Sequence, residues 1–574
     1  MRAFALVLLL VQMASAKRYQ YQKYSELVAK MIALQSEHPT MLRLFTAQDR
    51  YGLPAVGNCA SSDTKGKCLV YSILLTNLTS LEADPGLLIT RPSLFISGTL
   101  HGNEWIGPHA TVAMVEYVLQ HYEQEPWLRF LLNERMTVVV PIANADGFEH
   151  NRREEDGIDP NRDFGFDVDP KRCMKTIAGR SINELFREHI FRIAITFHGG
   201  ANVIAYQWGD TKHCDGYPRN CRGGYVSSDD KAMKDVGRAM SNYAGKAPSE
   251  GVYAVGPCND PRIIYPVNGG MEDWAYGASW HSSKTACRPE THGGYPVAKS
   301  IYNNVTHRAP NFLVEAANRK RPPAEQLGAD DDVLNAGGQG DGHIPRNIRL
   351  MLVGMDSIEP YIYIRKTSLQ KKGEPPSSAD HFLELINSNK AVTFEELATL
   401  EISVEWIVGG AFTVDYTKLH VVLRQAGQAG KVLSESSIPA TPVGVKNWKT
   451  AGTVGVPPGA QYKATVSLGS VAAGGHRRRL QADEMVVEVY ASAAVDGKWN
   501  DATDAQGDSP KTPQSHGLLF YFKLGSSLGW GLSGSGKKTS FSKKNASTLG
   551  SLCSNEVPMG SKAALESIGT SFVY

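Results

Sequence analysis

An excess of one charge is missing from this chain: 60 Lys and Arg stand against 58 Asp and Glu, a formal net charge of +2 over 574 residues. A nucleic-acid binder carries a basic excess, and a disordered chain is poor in apolar residues. With 42% hydrophobic residues neither class fits, and no nucleic acid is expected as a partner. Also missing is any apolar run of the roughly 20 residues needed to cross a bilayer. The run at 3–11 is short, follows Met1-Arg2 and leads to Ala14-Ser15-Ala16, the order of a cleavable signal peptide. Residues 1–16 are therefore read as a signal peptide. The mature chain is expected to start near Lys17, with no integral membrane segment, and to be secreted or held in the secretory-pathway lumen.

Cys-x-x-Cys pairs are absent too, which argues against a thiolate metal site. The eight cysteines are Cys59, Cys68, Cys173, Cys214, Cys221, Cys258, Cys287 and Cys553. An even count in a secreted chain predicts disulfides, and Cys59 with Cys68 and Cys214 with Cys221 are near enough to close small loops. Sequons at Asn77, Asn304 and Asn545 permit glycosylation.

What is present is an alternation of short apolar runs with helical patterns from Lys17 to about Met355, the signature of an α/β domain. Apolar residues recur at helical spacing over 25–34, and Pro108 stands near the start of a second helix carrying Ala110, Met114, Tyr117 and Val118 on one face. Runs at 94–96, 138–140, 193–195 and 312–314 read as buried strands. Beyond a Lys-, Pro- and Ser-rich stretch at 371–378 the period changes to two. Leu400, Ile402, Val404 and Trp406 alternate with polar residues, as do Tyr462, Ala464, Val466 and Leu468. That pattern predicts an all-β sandwich over 356–524, followed by a flexible Gly-, Ser- and Lys-rich tail over 525–574. The basic run 476–479 reads as an exposed loop between two of these strands.

The chemistry lies at the ends of the four buried runs. The first leads into His101-Gly-Asn-Glu104, the second into Asn144-Ala-Asp-Gly147, the third into His198-Gly-Gly, and the fourth ends on Glu315. Ligand crevices of open α/β sheets lie at the carboxyl ends of strands, so these groups are expected to converge. His101 and Glu104, three apart, can reach one ion from a tight turn, and His198 adds a third ligand from another strand. Three protein ligands with an open fourth position suit catalytic zinc, with a two-His-one-carboxylate iron site as the alternative. Glu315 would be costly to bury unless paired or near a metal, and there it could take a proton from water; its plainer alternative is a partner for Arg319 or Lys320. The run from Arg152-Arg153 to Asn161-Arg162 offers guanidinium forks for an anionic group, or else a solvated face neutralised by Glu154, Glu155 and Asp156.

Six motifs in order then carry a resemblance: His101-Gly-Asn-Glu104-Trp, Asn144-Ala-Asp-Gly147, Asp159-Pro-Asn161-Arg162-Asp-Phe, His198-Gly-Gly, Gly269-Gly-Met-Glu-Asp273-Trp274 and Phe312-Leu-Val-Glu315. Over roughly 24–323 the chain resembles the zinc metallocarboxypeptidases of the pancreatic and carboxypeptidase E/N/D types. The resemblance implies a mixed twisted sheet flanked by helices, one Zn2+ held by His101, Glu104 and His198, and zinc-activated water with Glu315 as general base. It further implies that Arg152 polarises the scissile carbonyl, that Asn161 and Arg162 clamp the terminal carboxylate of a peptide or protein, that Tyr265 closes over the substrate, and that Asp159 orients His101. Glu272 stands at the family position in the pocket for the C-terminal side chain, so removal of Lys or Arg is expected. Asp210 is a possible helper, whereas Gly209 stands where basic-specific relatives often carry an acid. A transthyretin-like sandwich after the catalytic domain, and no room for a propeptide after Ala16, favour the E/N/D organisation. Two other readings are a secreted binding protein that keeps the fold without activity and a zinc deacylase of modified amino acids. Retention of the ligands and of Glu315 disfavours the first, and retention of Asn161, Arg162 and Tyr265 the second.

Overall fold

The computed structural model describes residues 17–59, 66–214, 221, 225–302, 308–334, 342–373, 399–410, 414–425, 432–439, 441–446, 459–467, 469, 485–497 and 520–532. Eight strands build its first sheet: β1 (Leu42–Thr46), β2 (Tyr71–Leu75), β3 (Ser93–Ser97), β4 (Met136–Val140), β5 (Phe191–His198), β6 (Ala201–Tyr206), β7 (Ala254–Pro257) and β8 (Asn311–Ala317), in the spatial order β1-β2-β4-β3-β5-β8-β6-β7. The four apolar runs are its centre, β4-β3-β5-β8, and they are mutually parallel, whereas the β1–β2, β2–β4 and β6–β8 pairs are antiparallel. A strand covered on both faces gains from apolar residues at every position, which is why these segments read as runs rather than alternations.

Both coverings can be traced through neighbouring side chains. Leu94 and Ile195 meet Gly354 of the helix His343–Ser357, which packs beside the helices Ile106–Gln120 and Asp230–Ala244. Phe95 turns the other way and packs its ring 5.2 Å from Phe186 of the helix Ile177–Glu188. The fold is thus a mixed α/β sheet between two helical layers. Its register sets up the chemistry, because in the parallel β5–β8 pair His198 lies directly beside Glu315.

Two four-stranded antiparallel sheets follow. One has the order β13-β14-β10-β9, from β9 (Tyr361–Lys371), β10 (Leu400–Gly409), β13 (Thr441–Lys446) and β14 (Gly459–Ser467). The other is β12-β11-β15-β16, from β11 (Val414–Gln425), β12 (Val432–Pro439), β15 (Met485–Gly497) and β16 (Phe520–Leu532). The expected alternation is visible in β10, where Ile402, Val404 and Trp406 are buried and the Trp406 indole N–H donates to Thr417 Oγ1 of the facing sheet at 3.0 Å. One expectation is corrected here. Residues 525–532 belong to β16, not to a flexible tail, because the Gly- and Ser-rich backbone continues the ladder on β15 from Gly525 opposite Ser492 to Leu532 opposite Met485. Backbone pairing needs no apolar period, so the sequence pattern was blind to it.

Cys59–Cys68 and Cys214–Cys221 close the two small loops, and Cys173–Cys287 joins distant segments. Cys258 is buried and has no disulfide partner among the described residues. The side chain of Asn77, the one sequon residue in the described part, caps a helix through Ser80 N–H and donates to Asn133 Oδ1 at 2.9 Å, so its amide nitrogen is already engaged. The signal peptide, residues 476–479, Asn304, Asn545 and Cys553 lie outside the described residues. Among the described residues no helix is long and apolar enough to cross a membrane.

Asp356 ties the α/β unit to β9: its Oδ1 accepts the Trp127 indole N–H at 2.8 Å and the Tyr361 hydroxyl at 2.7 Å. Burial lifts this carboxyl to about 6, against an ordinary value of 3.8, with Tyr361 and Trp127 opposing. A raised acid favours the folded state fully below its unfolded value, and that contribution is lost as pH rises through about 6. Denaturant unfolding followed from pH 4 to 7 should therefore show a decline that Asp356→Asn flattens. Asp356→Ala, which orphans both donors, should cost about 1–3 kcal/mol for each buried group left unpaired.

Candidate metal centre and substrate cleft

Strand ends and the turns after them supply the central groups of the site, Asn161 and Arg162 come from the short turn Pro160–Arg162, and Glu272 from the helix Met271–Gly277. After β3 the chain makes a tight turn in which Glu104 N–H returns to His101 C=O at 3.0 Å. That turn lies directly against the Asn144–Gly147 turn after β4: a Cβ on Gly102 would sit 1.9 Å from the Gly147 carbonyl carbon, so only glycine fits. Asn144 explains its own motif. Its amide donates to Leu100 C=O at 3.0 Å and to Arg153 C=O at 3.1 Å, while its carbonyl accepts Gly147 N–H, and so three segments of the site are locked together.

At the centre, His101, Glu104 and His198 are buried side by side. His101 Nδ1 lies 3.1 Å from Glu104 Oε2 and 3.1 Å from His198 Nδ1, and His198 Nδ1 lies 3.3 Å from the same Glu104 oxygen. Three donor atoms on a tetrahedral zinc, each at about 2.0–2.1 Å, would be separated by about 3.3 Å, so the triangle has the size such an ion requires. Two imidazole nitrogens facing each other need a proton or a cation between them. The cluster can hold a metal, and its two-nitrogen, one-oxygen donor set suits zinc.

Around the triangle the supporting groups are charged. His101 Nε2 meets Asp159 Oδ1 at 2.9 Å, and Arg153 grips the other Asp159 oxygen through Nε at 3.0 Å and Nη2 at 2.9 Å. Burial works to raise Asp159, but His101 and the nearby guanidinium groups outweigh it and hold the carboxyl below its ordinary range. The second oxygen of Glu104 faces Lys320 Nζ at 3.2 Å and Arg153 Nη1 at 3.5 Å, which leaves Oε2 to the cluster. Glu104 also stays below its usual range, since His101 and His198 together overcome the effect of burial. The sequence offers Lys320 only as a partner for Glu315. Its place is set by backbone, its C=O accepting Trp105 N–H at 2.9 Å, and no local sequence signal marks that contact.

A cleft opens beside the triangle, lined by His101, Arg153, Asn161, Arg162, His198, Cys258, Ile264, Tyr265, Val267, Glu272, Leu313 and Glu315. The structure thereby gathers His101, His198, Asn161, Arg162, Tyr265, Glu272 and Glu315 at one place, with Glu104 and Asp159 behind them. Arg152 is not in the cleft: its side chain is 54% exposed and bound to Asp146 Oδ2 at 2.9 Å, while Arg153, 26% exposed, points in. The backbone explains the exchange. Asn151 has φ 53° and Arg152 N–H bonds back to Gly147 C=O, a turn that sends Arg152 outward and its neighbour inward. Counting residues to Asn161 could not separate two adjacent arginines.

Glu315 Oε2 is buried without a hydrogen-bond partner among the described residues, as a group awaiting a ligand would be. Burial raises the Glu315 carboxyl, Glu104 adds to the rise, and the two histidines oppose it. Tyr265 is 54% exposed at the rim. Glu272, 1% exposed, has among the described residues no partner for Oε1 and only a long 3.5 Å contact from Asn161 Nδ2 on Oε2.

Residues 87–307 match the protein family described as zinc carboxypeptidase. Among curated relatives, carboxypeptidase SOL1 of Arabidopsis thaliana is 25% identical over 196 residues, 33% of this chain and 38% of the relative. Mouse carboxypeptidase M is 23% identical over 222 residues, 36% and 48% of the two chains, and Helicoverpa zea carboxypeptidase B is 24% identical over 242 residues, 36% and 52%. The matches thus span about half or less of each of these relatives. Bovine thrombin-activatable fibrinolysis inhibitor, solved with tick carboxypeptidase inhibitor, aligns over 58% of this chain and 94% of its own at 13% identity and a TM-score of 0.36.

Removing the group behind His101 provides the test of this geometry. Asp159→Ala should weaken zinc retention by about 10- to 100-fold in chelator competition, without the loss of fold that would show as a lowered thermal midpoint.

Proposed function

We propose, from the match of residues 87–307 to the zinc carboxypeptidase family, that this chain is a secreted metallocarboxypeptidase that removes one C-terminal residue, Lys or Arg, from peptides or proteins. The observation that carries this reading is a single cleft that opens on His101 and His198 of the metal triangle and is lined by Glu315, the Arg162 guanidinium and a buried Glu272. His101, Glu104 and His198 would hold the zinc. When bound, zinc supplies a Lewis acid for the scissile carbonyl and lowers the pKa of water.

The protein's own groups then divide the work. Glu315, raised by burial, accepts a proton from the attacking water and passes it to the leaving amine, a transfer its elevated basicity suits. Arg153 takes the role expected of Arg152, with a guanidinium facing the cleft that can donate to an oxyanion. Arg162, with its backbone in the short turn Pro160–Arg162, and Asn161 supply donors for a terminal carboxylate, which limits cleavage to chain ends. Tyr265, exposed on the rim, is free to close over a substrate.

Specificity follows from Glu272. Where Gly209 lacks an acid, the Glu272 carboxylate comes from the other side: a Cβ on Gly209 would lie 3.4 Å from Glu272 Oε1 and 3.0 Å from Cys258 Cβ. Burial pushes this carboxyl up, and a Lys or Arg side chain would favour its charged form by pairing with it. Secretion is supported by the signal-like 1–16 segment and three disulfides, and Lys17 N–H is tied to Asp330 Oδ1 at 2.9 Å just where the mature chain would begin. The two antiparallel sheets that follow the α/β unit, as far as Leu532, are read as an accessory domain.

A panel of peptides that differ only at the last residue tests the reading. Arg and Lys ends should be released faster than Leu or Phe, Glu315→Gln should lower kcat by about 10²–10⁴-fold, and Glu272→Gln should erase the basic preference. No shortening of any peptide by zinc-replete protein would end the carboxypeptidase reading, and faster release of Phe or Leu would end the role of Glu272.

A further inference from the structure

Lys320 meets the far oxygen of Glu104 with a side chain that is 41% exposed. A four-carbon stem in water keeps its rotamer freedom, so an ammonium is held at one carboxylate oxygen only if the backbone beneath it is fixed. Residues 320–322 are fixed one after another. Lys320 C=O accepts Trp105 N–H at 2.9 Å, and Pro322 C=O accepts the Tyr21 hydroxyl at 2.7 Å. Between them the Arg321 guanidinium lies 3.8 Å from the centre of the Trp105 ring and 4.8 Å from that of Tyr21.

Tyr21 belongs to the segment ahead of the helix Tyr24–Glu37 and lies 301 positions from Pro322. That segment is anchored in its turn. Tyr19 N–H donates to Gly328 C=O at 3.0 Å, and Gln22 N–H donates to His109 Nε2 at 2.7 Å, while His109 Nδ1–H donates to Trp105 C=O at 2.7 Å. The Tyr21 ring stands edge-on to Trp105 at 5.6 Å and to His109 at 5.2 Å. Trp105 follows Glu104 in the chain, is buried, and gives its indole N–H to Asn151 Oδ1 at 2.9 Å, in the turn that points Arg153 inward. Both cations on Glu104 Oε1 therefore trace back to Trp105, and Tyr21 clamps the branch that ends in Lys320.

We propose that Tyr21 is a positioning residue for the metal centre: through Arg321 and Pro322 it holds the backbone that delivers Lys320 Nζ to Glu104 Oε1, and so keeps Glu104 Oε2 turned to the cluster. This rests on the reading of His101, Glu104 and His198 as the zinc ligands. It gives the first residues before the helix Tyr24–Glu37 a task at the metal, although Tyr21 touches no ligand. Phe at position 21 can keep the ring contacts but not the bond to Pro322 C=O, whereas Ala keeps neither.

The test measures the rate at which the full-length, zinc-loaded protein gives up zinc to an excess of chromogenic chelator, well below the thermal midpoint of every variant. Lys320→Ala should speed release about tenfold and Tyr21→Ala about fivefold, with Tyr21→Phe between Tyr21→Ala and wild type. A double-mutant cycle then separates positioning from general loosening. In the Lys320→Ala background, where there is no ammonium left to place, Tyr21→Ala should add less than about twofold. Glu116→Gln is the control, because it loosens the same end of the chain by breaking the pairs with Lys17 and Lys30, and it should leave zinc release unchanged. Effects of Tyr21→Ala and Lys320→Ala that multiply in the double variant would overturn the proposal, as would a Tyr21→Ala rate no faster than that of Glu116→Gln. If Tyr21→Ala does not fold, Tyr21→Phe carries the same cycle, with an expected rise of about threefold that Lys320→Ala abolishes. A wild type that retains no zinc would overturn both this role and the metal reading, whereas a failed cycle on a zinc-retaining wild type overturns the role of Tyr21 alone.

Discussion

Two imidazole nitrogens 3.1 Å apart, each also within 3.3 Å of one carboxylate oxygen, are the constraint on which the rest of this structure depends. Such a grouping is unfavourable without a cation or proton to share, so the scaffold must impose it. It does so with elements that cannot easily relax. His198 ends a central parallel strand, His101 and Glu104 occupy one tight turn, and that turn is pressed against the Asn144–Gly147 turn where no side chain fits at Gly102. The buried core of the sheet, continuous through β3, β4, β5 and β8, opposes any drift of these strand ends.

Charge then radiates from the triangle in a regular way. Asp159 supports His101 from behind, Arg153 supports Asp159, and Arg153 and Lys320 hold the far oxygen of Glu104. Groups close to the cluster are thus fixed by opposite charges, while Glu315 Oε2 and Glu272 Oε1, on residues that line the cleft, have no partner among the described residues. Saturated support behind and unsatisfied acceptors in front are what a preorganised site requires. The near-neutral total charge conceals this arrangement, because function here depends on where a handful of charges sit, not on their sum.

Much of this was legible in the sequence, for physical reasons that differ by element. Buried parallel strands announce themselves as apolar runs, and ligands at their ends follow from where crevices form in such sheets, so His101, Glu104, His198 and Glu315 could be found in advance. The second β-sheet region showed in the two-residue period of 400–406, which is part of β10. Other features depend on geometry that no spacing encodes. The choice between Arg152 and Arg153 turns on a positive φ at Asn151. Lys320 reaches Glu104 through a backbone contact across 215 positions of chain, and β16 extends through Gly and Ser by ladder bonds alone.

The central claim is that this cleft uses water to cut the last peptide bond of a chain. It is tested most directly by incubating the purified, zinc-loaded protein with an Arg-ended peptide in heavy-oxygen water and weighing the products. The account predicts release of free arginine and a peptide shorter by one residue that carries one heavy oxygen in its new terminal carboxylate. An intact peptide, or fragments from internal bonds, would contradict it.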